Sequence, residues 1–341
     1  NGLRLHSSPK IKHSPLSFLS QFDCGEHTEF PKSQWQIFFC ASTGAQHPQC
    51  VEANRIDRKC KCGERLDNHG HHLQTCMTHQ GSTWTKVHNQ IQKLWGDTAF
   101  IADVTTDADS SSLPRPPDSE KRADIVFQLR LPHPTLTSEY RAIVGDVSLT
   151  HPYIGDADDR STWGTFKTDH MQRRIDDKNS KYQRFHYQLN YLFLPLVCNT
   201  FGLINGEALR LLFLLAHKAA TLYFDAIGER IYDDDGKFRA AFLHHRSSLF
   251  NRFKSRIALA ACRGMARRGD LTSVHHDIGM EYRHFDDDDG PSRRLRRPPG
   301  RRRRRRPGRR GGEQHVNEPL WIDERRYRGS SRAPAQGRAR G

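Results

Sequence analysis

The sequence has no apolar run long enough to cross a lipid bilayer. Its longest run, Leu211 to Ala216, is far below the roughly 20 residues that a transmembrane helix needs. No secretory signal peptide is visible in it either. Apolar residues make up only 35% of the chain, and the mean hydropathy is −0.80. These deficits exclude a membrane protein and predict a folded core with part of the chain outside it.

Most of the chain has little net charge, and the net positive charge is concentrated at its C-terminal end. Residues 291–341 contain 18 Arg, no Lys and 4 acidic residues, whereas residues 1–290 are almost neutral. The run Arg301 to Arg306 is framed by Pro and Gly and cannot bury apolar area, so we expect residues 267–341 to be a disordered, Arg-rich tail. Such a tail suits phosphate contacts or nuclear import. A solvated tail without a function, or a translated non-native frame, is the alternative.

Disulfides are not expected, because 8 cysteines are few and unevenly spread in 341 residues. Three of them, Cys60, Cys62 and Cys76, cluster among histidines, which in an intracellular chain favours metal binding. With His72 they form the pattern C-x-C-x9-H-x3-C, and four such donors suit a closed, tetrahedral zinc site. Gly63 permits a tight turn after the first two cysteines.

The third ligand of this predicted site is the least constrained by spacing. The three-residue gap between His72 and Cys76 places both on one helical turn, which favours His72. His69, His71 and His79 are alternative donors. A chance cluster of cysteines and histidines in a polar loop remains the competing interpretation.

Hydrophobic periodicity divides the chain into four segments. Residues 1–54 are poorly patterned and are interpreted as a loosely packed lead-in, residues 55–80 hold the predicted zinc knuckle, residues 81–266 form the main domain, and residues 267–341 form the tail. The main domain has predicted helices over 81–100, 167–185, 207–226 and 237–266, and predicted strands over 125–131, 140–150 and 191–197. Strands interleaved with helices predict an α/β fold, with the first two strands as an antiparallel hairpin.

Two acidic residues interrupt the predicted hairpin. Asp124 lies at the start of the first strand, and Asp146 interrupts a second strand that otherwise has the pattern of a buried one. Burying an unpaired carboxylate is costly, and a divalent cation compensates for it. If the hairpin pairs as predicted, both carboxylates lie at one end and suit Mg²⁺ or Mn²⁺, which phosphodiester hydrolysis uses. A salt bridge or a strand-end cap is the alternative.

A basic motif on the next predicted helix supplies a third component. Lys178, Lys181 and Tyr182 form the pattern K-x-x-K-Y, with the two lysines one turn apart on the same face. They are candidates to reach the carboxylates. A solvated basic helix face is the alternative.

The order of these elements resembles a known family. The segments CKCGERLDNHGHHLQTC, VHNQI, RADIVF, IVGDVSLTHP, KNSKY and FLPLVCNTFG occur in this order over about residues 55–225. They resemble the C-terminal region of site-specific non-LTR retrotransposon proteins, where a CCHC zinc knuckle precedes a restriction-like endonuclease of the PD-(D/E)XK superfamily.

The resemblance implies an α/β fold with a PD-(D/E)XK restriction-endonuclease-like core and an N-terminal zinc knuckle. It also implies a Mg²⁺-dependent (or Mn²⁺-dependent) endonuclease that hydrolyses DNA phosphodiester bonds. In that family two acids bind the metal, which correspond to Asp124 and Asp146, and a basic element completes the site, which corresponds to Lys178 or Lys181 with Tyr182. The knuckle of Cys60, Cys62, His72 and Cys76 would hold structural Zn²⁺ and aid nucleic-acid engagement.

The sequence departs from the family pattern at two positions beside the acids. Ala123 replaces the usual Pro, and Ser148 occupies the position where orthodox members carry Lys, so activity requires a Lys from the helix. The additional upstream acid that the family often has would be Asp103, Asp107 or Asp109.

Partners and location follow from the same resemblance. DNA is the expected partner and RNA a second candidate, without a membrane, and nuclear residence is expected. A full-length relative would also carry a reverse transcriptase upstream of the knuckle, a domain we expect to be absent from this sequence. The rival hypothesis is a catalytically decayed retroelement relic that binds nucleic acid through the knuckle and the basic tail.

Overall fold

The structure is a computed structural model. It describes residues 31–79, 81–108, 113, 115–116, 122–132, 139–227 and 235–271. Residues 1–30 of the predicted lead-in and residues 272–341 of the predicted tail lie outside this part of the chain. In the described ranges, no helix combines the length and apolar character that crossing a membrane requires.

Helices and strands together form a mixed α/β fold in the described chain, with four helices before the first strand and two after the last. The helices are α1 (Lys32–Thr43), α2 (Pro48–Arg55), α3 (His71–Thr75), α4 (Gly81–Ile101), α5 (His170–Gln188), α6 (Gly206–Ile227) and α7 (Asp235–Gly269). The strands are β1 (Thr106–Asp107), β2 (Ile125–Phe127), β3 (Leu131–Pro132), β4 (Glu139–Tyr140), β5 (Ile143–Thr150) and β6 (Leu192–Asn199).

Four strands form a mixed sheet in the order β1-β2-β5-β6. The β2–β5 pair is antiparallel with Ile125 opposite Gly145, which confirms the predicted pairing of these strands. Strands β5 and β6 are parallel, and α5 makes the crossover that parallel neighbours require.

Strand β2 differs from its prediction in length and burial. It spans three residues, and all three are buried, whereas a half-buried strand over 125–131 was expected. All three residues are buried because helices cover both faces of the sheet. One face packs against α4, α6 and α7 in a core that includes Trp95 and Phe127, whose ring centroids are 6.2 Å apart. The other face packs against α5, where Val144 meets Tyr182 and Phe193.

The expectation of a loosely packed N-terminal lead-in is wrong for its described part. Helices α1 and α2 are regular, and Ile37 and Phe38 of α1 pack with Met265 near the end of α7. The partner surface of α1 therefore lies more than 200 residues away in the sequence, where local periodicity cannot reveal it.

The predicted start of the tail at residue 267 is also too early. Helix α7 continues to Gly269, and Arg268, Asp270 and Leu271 are buried. Asp270 accepts hydrogen bonds from Ser33 Oγ and Gln49 Nε2, each at 3.2 Å. The end of α7 thus packs against the N-terminal helices.

The knuckle segment is packed into the same unit as the sheet. Gln74 Nε2 donates to the Met265 carbonyl at 3.0 Å, and His72 Nδ1 lies 2.6 Å from the Gly155 carbonyl oxygen. Gly155 is required at this contact because a Cβ there would lie 2.4 Å from the carbonyl carbon and oxygen of His71. Backbone atoms of residues far apart in the sequence approach directly.

We expect Gly155→Ala to separate the knuckle from the sheet domain. The added methyl meets backbone atoms that no rotamer change can move, so the free energy of unfolding should fall by about 1–3 kcal/mol. Gly206→Ala is the matched control, since its Cβ would meet no atom within 4 Å. Equal urea midpoints for both variants would contradict the close approach at Gly155.

Candidate metal centre and carboxylate site

The first two predicted ligands lie on a tight turn. The backbone N–H of Cys60 donates to the Glu64 carbonyl at 2.8 Å, and the N–H of Gly63 donates to the Cys60 carbonyl at 2.9 Å. Gly63 has φ +90°, a left-handed conformation that a side chain disfavours. The turn presents the Cys60 and Cys62 sulfurs towards α3.

The second pair of ligands is placed by α3. Asp67 accepts hydrogen bonds from the N–H groups of His71 at 3.0 Å and His72 at 2.7 Å, and so satisfies donors at the start of this short helix. His72 lies in the helix and Cys76 directly follows it, so both lie within one turn, as their spacing predicted.

The four predicted ligands come together. One donor atom from each of Cys60, Cys62, His72 and Cys76 lies within 4.8 Å of the others. The sulfurs of Cys60 and Cys76 are 3.7 Å apart, and Cys62 Sγ is 3.2 Å from His72 Nε2. A tetrahedron with Zn–S bonds of about 2.3 Å has edges of about 3.8 Å, so this donor set could hold a zinc ion.

The alternative histidines are engaged elsewhere. His69 Nδ1 lies 3.3 Å from the Ala45 carbonyl oxygen, and His79 Nε2 lies 3.1 Å from the Arg268 carbonyl oxygen. His71 Nδ1 lies 3.2 Å from His151 Nε2. The structure therefore favours His72 as the third ligand.

Groups around the cluster orient the ligands. The contact of His72 Nδ1 with the Gly155 carbonyl leaves Nε2 as the ligand atom, and the Trp163 ring stacks on the imidazole at 4.8 Å. Burial raises the pKa of the Cys60 thiol to about 12. Burial also acts to raise the pKa of Cys76, but backbone hydrogen bonds from His79 and Thr78 lower it overall. A bound cation is the group that would hold such buried sulfurs as thiolates.

The two predicted acids are neighbours across the sheet. The N–H of Asp124 donates to the Gly145 carbonyl at 3.0 Å, and Asp124 Oδ2 accepts the N–H of Val147 at 2.7 Å. Asp124 thus lies one step beyond the Ile125–Gly145 pair and adjacent to Asp146. Asp146 is only 2% exposed, and β5 turns it towards the face that α5 covers.

Each carboxylate has a cationic or ionisable partner. Lys178 Nζ lies 2.5 Å from Asp146 Oδ2, and His88 Nε2 lies 3.0 Å from Asp124 Oδ2. Burial, and next the charge of Asp124, raise the pKa of Asp146 to about 6, although Lys178 opposes this shift. The hydrogen bond to Asp124 raises the pKa of His88.

Of the other predicted residues, Lys181 is exposed and Tyr182 is buried. The ammonium groups of Lys178 and Lys181 lie 5.6 and 5.0 Å from the centroid of the Tyr182 ring. Tyr182 packs on Phe193 with ring centroids 5.4 Å apart. Of the two candidate lysines, Lys178 is the one that contacts Asp146.

Three residues beside the carboxylates were not singled out from the sequence. His88 contacts Asp124, and Gln92, one turn further along α4, donates to the Asp124 carbonyl at 2.6 Å. Arg174 Nε donates to Ser148 Oγ at 3.3 Å. The sequence held two signals for these residues. His88 and Gln92 are polar residues four apart beside the buried stripe of α4, and Arg174 extends the face of α5 that carries the K-x-x-K motif.

The carboxylate site offers fewer donors than the knuckle. In the ranges that the structure describes, only the Cys60, Cys62, His72 and Cys76 cluster brings three or more His, Cys, Asp or Glu donors together. Of the upstream acids, Asp107 lies in β1 opposite Val126, and Asp109 lies outside the described residues.

Comparison of the chain with protein-family models, with curated proteins and with solved structures finds no match.

We expect the knuckle to bind one metal ion through four side chains. Cys76→Ser and His72→Ala should each lower the amount of bound zinc and weaken the tetrahedral d–d absorption of the Co²⁺-loaded protein, because the tetrahedral site loses a donor. His69→Ala is the control, since His69 is exposed and adjacent to the ligand helix. Loss of metal in His69→Ala, with retention in His72→Ala, would reassign the third ligand.

We expect Asp146 to lower stability as pH rises from about 4 to 6. Its pKa is raised to about 6 in the folded protein, so in this range the folded state holds a proton that the unfolded chain releases. Asp146→Asn should remove this cost, which two pKa units put at about 3 kcal/mol at most. In buffer without Mg²⁺, the Tm difference between the variant and the wild type should shift in favour of the variant as pH rises. A constant difference would contradict the raised pKa.

Proposed function

We propose that the chain is a retroelement-type, metal-dependent DNA endonuclease with a PD-(D/E)XK-like core and a structural zinc knuckle. One observation carries the proposal: buried Asp146 and its neighbour Asp124 meet at the end of a β-hairpin, and a lysine of the crossover helix contacts Asp146. The order of motifs that resembles non-LTR retrotransposon proteins supports the same function.

The donor chemistry of this pair fits Mg²⁺ or Mn²⁺. Two carboxylates are a sufficient protein contribution, because Mg²⁺ keeps several waters and takes other oxygens from phosphate. Asp124 and Asp146 would hold the ion. When bound, it would activate water and neutralise charge on the attacked phosphate.

The residues around the carboxylates would act on the substrate and on each other. Lys178 balances the buried charge of Asp146 and places a protonated amine beside the reacting phosphate, where it stabilises developing negative charge. The Tyr182 ring lies against Lys178 and limits its positions. Arg174, held at Ser148, is suited to a phosphate oxygen, and His88 fixes the orientation of the Asp124 carboxylate.

The knuckle would supply affinity for nucleic acid. Lys59 and Lys61 are exposed beside Cys60, and Met77, which follows Cys76, is 83% exposed. Lysines at this position suit backbone phosphates, and an exposed thioether suits an unstacked base. The Arg-rich tail, which lies outside the described residues, would add sequence-independent contacts and nuclear targeting.

A binding-only relic is the second candidate. It is favoured by the pairing of both carboxylates with His88 and Lys178, an arrangement that is balanced without a divalent ion. DNA would then be bound through the knuckle and tail, with no hydrolysis.

Nicking of supercoiled plasmid by the zinc-loaded full chain distinguishes the two candidates. We expect Mg²⁺- or Mn²⁺-dependent nicking that falls at least about 100-fold in Asp146→Asn and in Lys178→Met, with DNA binding retained in gel shifts. Asp177→Asn is the matched control, since this exposed acid adjoins Lys178 on α5. Absence of nicking by folded wild type would favour the relic, and undiminished nicking by Asp146→Asn would reject this active site.

A further inference from the structure

A fully buried arginine lies against the knuckle. Arg268, near the end of α7, has 0% exposure. Its Nε donates to the Leu73 carbonyl at 2.6 Å, and its Nη2 donates to the Cys76 carbonyl. Its guanidinium carbon lies 4.7 Å from the centroid of the Trp84 ring. The side chain therefore contacts the backbone of Cys76 and of Leu73, the residue that directly follows His72.

The charge of Arg268 needs a partner. A buried cation without a counter-charge is strongly destabilising. Within the described residues, Arg268 has no ion pair with Asp or Glu. The contact that its Nη2 makes is with the carbonyl oxygen of Cys76, which is one of the four candidate zinc ligands.

The metal centre has the opposite charge. Three thiolates and a neutral imidazole around Zn²⁺ leave one net negative charge. Carbonyl oxygens alone solvate a guanidinium but do not neutralise it, whereas this centre does.

We propose that Arg268 is the counter-ion of the zinc–thiolate centre and that this charge pair couples zinc binding to the docking of α7. The proposal rests on the proposed zinc site but not on nuclease activity. Arg268 acts as a positioning residue: it fixes the carbonyls of Leu73 and Cys76 and lowers the energy of the negative centre. Zinc in turn stabilises the buried guanidinium, so each strengthens the other.

Zinc affinity tests the charge pair directly. The full chain is titrated against a chromophoric zinc chelator, and Tm is measured with and without zinc. Arg268→Gln, which keeps N–H donors but has no charge, should weaken zinc binding at least about 10-fold and reduce the rise in Tm on zinc addition. Arg268→Lys, which keeps the charge, should stay within about 3-fold of wild type. Arg267→Gln is the matched control, because this neighbour is exposed.

A change of ligand charge separates an electrostatic role from a structural one. Cys62→His leaves two thiolates and two imidazoles, so the zinc-bound centre becomes neutral. In that background Arg268→Gln should change zinc affinity by less than about 3-fold. Coupling of this kind is what a double-mutant cycle measures.

The outcomes are distinct. Wild-type zinc affinity in Arg268→Gln would overturn the proposal, as would an equal loss in the Cys62→His background or equal losses in Arg268→Gln and Arg268→Lys. Failure of the wild type to bind one zinc ion would reject the zinc site itself, and with it this inference. Plasmid nicking plays no part in these readouts, so they are independent of the nuclease proposal.

Discussion

Burial of the Asp146 carboxylate in the central strand is the constraint around which the sheet domain is organised. Strand β5 is covered on both faces, so a charge within it must be met by neighbouring elements. The crossover helix α5 supplies Lys178, β2 supplies Asp124, and α4 brings His88 to the same edge. Elements that would otherwise only cover the sheet thereby line one polar site.

The long helix α7 organises the packing of the N-terminal helix α1 and of the knuckle. Its middle packs on α4 and α6, and its last turns contact α1 and the knuckle. The cluster of Cys60, Cys62, His72 and Cys76 is therefore embedded in the fold rather than carried on a separate small domain. The positions of its donor atoms depend on contacts such as that of Gly155 with His72, and a bound metal ion would stabilise those contacts in return.

Local sequence patterns were sufficient to predict the elements whose signals lie within a short stretch of the chain. The apolar spacing of α4 and α6, the pairing of β2 with β5, and the clustering of the four Cys and His donors in the knuckle could all be predicted because the signals lie within short windows. Helix α1 was missed because its buried face meets α7 from the far end of the chain, and α2 was missed because its buried residues Cys50 and Ala53 pack against the irregular knuckle segment. The spacing of His88 and Arg174 indicated only that they are polar residues on helix faces, and they were missed because their contacts depend on how α4 and α5 cross the sheet.

The hydrogen bonds of Arg268 to the carbonyls of Leu73 and Cys76 also constrain the order in which the protein can fold during synthesis. Cys76 and Arg268 are 192 residues apart, so at 5–20 residues per second a ribosome needs roughly 10–40 s to deliver the second after the first. During that interval the nascent cysteines emerge, and can meet zinc or oxidants, before the helix that shields them exists. Packing of the N-terminal helices and the knuckle is thus completed only after translation has passed residue 271.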